Sequence, residues 1–199
     1  MNKSAIDRAT EIIAELAEHG QGPAAVRHPL GFHCFPVLRE TGYGLCVHVW
    51  HGGPAATEPP PHSHSWDLTS YVLDGAVVNR LIDVHDAPTG ATDRVYDVDT
   101  SEAVDRLRAT PRLVRRTLRA EHTTTGGGVY RLAPGRFHTT AVPADGGAIT
   151  VVVGSGSVGT ARDRVLGPLD GRSYDTVRRR CDPTETTALA RAVLDRISP

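Results

Sequence analysis

Lysine is all but missing from this chain. Lys3 is the single one, so no side-chain amine is placed for Schiff-base chemistry. Charge of one sign is lacking too: 22 basic residues stand against 23 acidic ones, a net charge of −1, which gives no general drive toward nucleic acid or an anionic membrane. The three cysteines, Cys34, Cys46 and Cys181, are widely spaced and odd in number, which excludes a disulfide framework and a CxxC zinc pair and fits a reducing compartment. No apolar run is long enough to span a bilayer, and the stretch from Met1 to Asp7 lacks the apolar core of a signal peptide. A cytoplasmic protein with no membrane partner is expected. The cluster Arg112, Arg115, Arg116 and Arg119 has no interleaved aromatics and reads as a solvated edge, so no nucleic-acid partner is expected either.

What is present is turn chemistry. Aromatics make up only 5 % of 199 residues, beside 20 glycines and 14 prolines, a composition that suits a turn-rich β protein of one domain. Helical spacing occurs only near the ends. Ile6, Ile12, Ile13, Leu16 and Ala17 recur with a helical period after a Ser4 cap and stop at Gly20. Asp182-Pro183-Thr184-Glu185 opens a second helix carrying Leu189, Val193, Leu194 and Ile197. Between them the period is two. "YGLCVHVWH" sets Leu45, Val47 and Val49 against Cys46, His48 and Trp50, and "SYVLDG", "AVVNRLIDV", "GVYRLAPG" and "AITVVVG" are bounded by Gly, Pro or Asp. "RLVRRTLRAEH" reads as a further strand, and "DTSEAVDRLRA" as a short helix capped near Thr100 or Ser101. The expected fold is all-β, a sandwich or jelly roll with helices at its margins.

One stretch carries chemistry. In "PPPHSHSWDLTSYVLDG", His62 and His64 stand two apart, so on a strand they share a face. Two such imidazoles can take adjacent positions around an ion, at about 2.0–2.1 Å for zinc-like bonds. A solvated pair in a proline-rich loop fits the spacing equally well. "YRLAPGRFH" offers a third imidazole, because a strand, a Pro-Gly turn and His138 re-entering the sheet can bring it to the other two.

In these two places the chain resembles the cupin superfamily. The family's first motif is a glycine, His-x-His, three or four residues, a glutamate, six residues and a glycine; here stand Gly53, His62-Ser63-His64 and Gly75. The second is a glycine, five residues, Pro-x-Gly, two residues, a histidine, three residues and an asparagine; here stand Gly127, Ala133-Pro134-Gly135, His138 and Val142. The resemblance implies a β-barrel jelly roll over residues 43–156, preceded by a helix and lead-in strand in 1–42 and followed by an extension with a helix in 157–199. It also implies one divalent metal, iron(II) first, with zinc, nickel, copper and manganese as other candidates, held in the barrel mouth by His62, His64 and His138. Leu68 stands where the family has its glutamate. Either Asp67, one place earlier, swings inward to complete a two-histidine, one-carboxylate set, or the site is three-histidine and open to anionic or chelating substrates. The thiol dioxygenases are the chemical precedent for a site without the glutamate.

The expected activity is therefore that of a non-haem iron(II) dioxygenase on a small molecule. The alternatives are a ligand- or metal-sensing cupin without turnover and a metal-dependent isomerase or lyase. Tyr71, Arg80 and Tyr130, on strands near the motifs, are candidates to clamp an anion or move a proton. Trp66 reads as core packing, and His48 either lines the pocket or simply occupies a sheet face. The segment of about fifty residues from Gly75 to Gly127 reads as an elaborated loop over the mouth. Gly154-x-Gly156-x-x-Gly159 spells a dinucleotide-binding loop, yet too little chain follows for further βαβ units, so a flexible exit loop is expected and no nucleotide cofactor. Apolar stripes on both terminal helices need something to pack on, which points to a homodimer.

Overall fold

The computed structural model describes residues 4–53, 59–101, 103–156 and 162–198. In chain order the elements are α1 (Ala5–His19), β1 (Val26–Arg27), β2 (Phe32–Glu40), β3 (Tyr43–His51), β4 (His62–Ser63), β5 (Asp67–Asp86), β6 (Asp93–Thr100) and β7 (Val104–Thr125). They continue with β8 (Val129–Leu132), β9 (His138–Ala141), β10 (Gly147–Ser155), β11 (Asp163–Gly167), β12 (Tyr174–Val177), β13 (Arg179–Arg180) and α2 (Pro183–Ile197). All strand pairings are antiparallel.

Both helices start where their caps dictate. The Ser4 hydroxyl accepts the Asp7 N–H at 3.1 Å while the Asp7 carboxylate accepts the Ser4 N–H, and Gly20 ends the helix in the left-handed region at φ 68°. The Asp182 carboxylate accepts the Glu185 N–H at 2.8 Å, with Pro183 in the first turn. None of the helices among the described residues is long and apolar enough to cross a membrane.

The first sheet runs β13-β1-β2-β3-β10-β5-β8. Its outer face buries Phe35, Leu45, Val47, Val49, Ile149 and Val151 against Ile13, Leu16, Ala190 and Val193 of the helices. The apolar stripes of both helices are thus covered within one chain. In the second sheet the pairings close on themselves, β5-β9-β4-β11-β6-β7 and back to β5. Strand β5 belongs to both sheets. Residues 67–75 pair with β10 and 76–86 with β7, and the turn between the two halves falls at Gly75. There φ is 74°, and a Cβ would stand 1.8 Å from the Gly147 carbonyl oxygen, so only glycine fits. The register slips two residues earlier, at Leu73, between the pairs Val72–Thr150 and Asp74–Ile149. Leu68, Ser70 and Val72 are buried before the slip, Val77 and Asn79 after it, so the inward parity of β5 changes from even to odd. The result is the expected all-β jelly-roll architecture with a helix at each end. The sheets draw strands from all three sequence segments, β11 of the last one lying between β4 and β6.

Two sequence expectations are corrected. The stretch after Thr100 is not a helix: the Ser101 hydroxyl accepts the Val104 N–H at 3.1 Å in a hairpin turn, and β7 follows with Asp105 and Leu107 buried between exposed Arg106 and Arg108. Ser101 sits in a turn that it fits as well as it would a helix cap; Glu102 lies outside the described residues. The segment between Gly75 and Gly127 is not a loop but the long β5–β7 ladder with β6. Of the glycine triplet, Gly154 is the last residue but one of β10, under the Trp66 ring, which a Cβ would meet at 2.9 Å, and Gly159 lies outside the described residues.

Candidate metal centre

Between the two sheets lies a cavity of about 470 Å³, within the range of small-molecule sites. On the second sheet's wall His62 pairs directly with His138 across β4 and β9. His64 follows one residue past β4, held from two sides. The Gly135 N–H of the Pro134–Gly135 turn donates to the His64 carbonyl at 2.8 Å, and the Ser65 N–H and hydroxyl donate to Asp163 at 2.7 and 2.8 Å. The three rings stand 4.4 Å (His62–His138), 5.2 Å (His62–His64) and 5.3 Å (His64–His138) apart between centroids. One nitrogen of each lies within 4.8 Å of the others.

The protonation of these rings is set by their surroundings. His62 Nδ1 lies 3.1 Å from the Pro60 carbonyl and His138 Nδ1 3.3 Å from that of Arg136. A carbonyl only accepts, so both Nδ1 atoms carry the proton, and the His138 ring has a second backbone hydrogen bond, to His62. Burial is the main force holding all three pKa values down. It lowers His62, lowers His64 strongly with help from His62 and His138, and takes His138 to about 3. Three neutral imidazoles with lone pairs to offer are a donor set that a divalent ion such as iron(II), zinc or nickel fits. Trp66 lies against His64 with ring centroids 4.4 Å apart and planes tilted by 35°.

Asp67 is not among them. It is exposed at the start of β5, where alternation turns Leu68 inward and Asp67 out. The same alternation separates the other candidates. Tyr71 faces the helices and packs on their core, and Arg80 lies on the outer face, 2.6 Å from Glu121. Neither lines the cavity. Tyr130 does, with its phenol among Ser70, Asn79 and Thr140. Burial pushes its pKa up, which keeps the proton on the oxygen, although those neighbours pull it partly back.

Sequence reasoning left several cavity residues unassigned. His48 lines it, with Cys46 and Trp50 from the same face of β3. Cys34 joins from β2, Arg178 from the segment between β12 and β13, and His28 from the turn after β1, where its ring stacks on Phe32 at 4.4 Å. For Cys46, His48 and Trp50 the signal was the alternation of β3, whose inward face becomes identifiable once the helices cover Leu45, Val47 and Val49.

No family model matches the sequence, and no curated protein does. Solved structures do match. An RmlC-like cupin from Shewanella frigidimarina is 15% identical, with 68% of this chain and 86% of that one covered and a TM-score of 0.39. The polyketide cyclase RemF from Streptomyces resistomycificus is 14% identical over 76% and 79% at a TM-score of 0.42. The hydroquinone 1,2-dioxygenase PnpCD, solved with Cd2+ and 4-hydroxybenzonitrile, is 12% identical over 81% and 79% at 0.41. The solved structures this chain is similar to thus include an RmlC-like cupin, a polyketide cyclase and a dioxygenase.

Proposed function

We propose that this chain is a metal-dependent enzyme acting on a small molecule, and more narrowly a non-haem iron(II) dioxygenase. The supporting observation is the convergence of three neutral imidazoles, two with the tautomer fixed by a carbonyl, on the wall of a cavity of about 470 Å³. His62, His64 and His138 are the ligands. Bound there, iron(II) would supply Lewis-acid and redox chemistry toward a substrate and dioxygen. The residues around it do the rest. Trp50, Trp66, Leu68 and Val152 make the lining apolar and exclude water. With Leu68 in place of a carboxylate, none of the three ligands offsets the ion's charge, which favours an anionic or chelating substrate. Tyr130 holds a proton at its hydroxyl, available to a substrate oxygen.

The test is metal analysis of the purified protein together with oxygen uptake across a panel of small carboxylic acids and thiols. About one iron per chain and oxygen consumption with at least one compound are expected. His138→Ala should lose both, Asp67→Asn should keep its metal within about twofold, and His122→Ala, exposed on β7, should change neither. A tenfold loss of metal in Asp67→Asn would restore the carboxylate to the site; a wild-type protein that holds no metal at His62, His64 and His138 would sink the proposal. Tyr130 favours a second reading, a metal-dependent isomerase or lyase, which anaerobic turnover would reveal.

A further inference from the structure

The cavity has a second cluster of donors that the three-histidine centre does not use. Cys34 on β2 pairs directly across from His48 on β3, and Cys46 lies two residues before His48 on the same face. All three side chains line the cavity from the first sheet's wall, facing the one that carries His62 and His138. Their two sulfurs and one imidazole nitrogen lie within 4.8 Å of one another. Donors around a tetrahedral ion with bonds of about 2.0–2.3 Å stand roughly 3.3–3.8 Å apart, so a small side-chain adjustment closes the set. The His48 ring is steadied by Phe32, which lies 4.3 Å from it on one side and stacks on His28 on the other. Both thiols are free.

We propose that Cys34, Cys46 and His48 form a second metal site, distinct from the three-histidine centre, that takes a thiophilic cation such as zinc(II). Two thiolates and an imidazole are a soft donor set, unlike three imidazoles, and they leave a fourth position facing the cavity. The proton bookkeeping suits metal loading. Contact with the Cys34 thiol and with His48 holds the Cys46 pKa well below the usual thiol range, while Cys34, the partner that keeps its proton, is pushed up. Whatever protons the two thiols hold are released to solvent when an ion binds them as thiolate ligands. The two groups share no residue, although His48 lies close enough to His64 to act on it electrostatically.

The experiment is a cobalt(II) titration of protein stripped by a chelator under reducing conditions, after confirming that all three thiols are free. Expected are two cobalt ions per chain and a near-ultraviolet charge-transfer band from thiolate to cobalt. The band should vanish, or need at least tenfold more cobalt, in Cys46→Ser and in Cys34→Ser, and persist in His138→Ala. A wild-type protein that binds cobalt without the band overturns the proposal, whatever the variants do. So does a band lost equally in His138→Ala and Cys46→Ser, because that would be one shared centre. Loss of the thiol-independent ion alone would count against the three-histidine centre and leave this site standing.

Discussion

His28 shows how one side chain makes the cavity sensitive to acid. Burial lowers its pKa first, and Arg178, His48, His62 and Arg39 lower it further. The folded protein therefore resists protonating it, whereas in the unfolded chain it takes up a proton near pH 6.5. Stability is at its full value above that pH and is lost as the pH falls toward the depressed folded value. The Nδ1 atom accepts the Leu30 N–H at 3.2 Å, a role that the amide oxygen of asparagine can take over. His28→Asn keeps that bond but loses the ring's stack on Phe32, so stability at pH 7.5 should fall by about 1 kcal/mol. Denaturant titrations from pH 6.5 to 4.5 should show its slope against pH reduced by up to about 1.4 kcal/mol per pH unit, the value of one proton. An unchanged slope would mean that the ring is already protonated in the fold. His28 lies outside both motifs, and only the pairing of β1 with β2 and β13 brings it to the cavity.

Among the elements, β5 decides most. Gly75→Ala would force a Cβ into the Gly147 carbonyl and a left-handed φ onto a residue that disfavours it, so a loss of about 2–4 kcal/mol is expected in equilibrium unfolding. A loss below about 0.5 kcal/mol would mean that the two halves of β5 are not joined this tightly. This strand also marks the limit of what could be read beforehand. The alternation of β3 was plain, because nothing interrupts it from Leu45 to Val49, and both helices were plain from their caps and apolar spacing. The parity change in β5 was not, because the slip at Leu73 exists only against β10, far along the chain. Tyr71 and Arg80 were placed near the chemistry on the assumption that strands near the motifs present their side chains to it, and the alternation turns both away. His62, His64 and His138 could be singled out because spacing and a Pro-Gly turn carry their signal; Cys34 and Arg178 carry no local signal at all.

At the scale of the molecule, chain order and spatial order are thoroughly mixed. Strand β1 pairs with β13, α1 packs on α2, and β11 closes the ring beside β4. Heating should therefore give one transition, with far-ultraviolet circular dichroism and tryptophan fluorescence coinciding, since both tryptophans, Trp50 and Trp66, line the cavity. Two separated midpoints would show that the sheets melt independently. With the helix stripes already covered, a homodimer has to be built on another surface, and light scattering at micromolar concentration decides whether one forms. The passage of β5 through both sheets has a mechanical consequence. The walls of the cavity are not two parts docked together but two arms of one bent beam, with its elbow at Gly75. The gape of the cavity is then a flexural coordinate: a bulkier guest would be admitted by unbending the elbow, and the strain would be carried along the backbone to β7, which does not line the cavity.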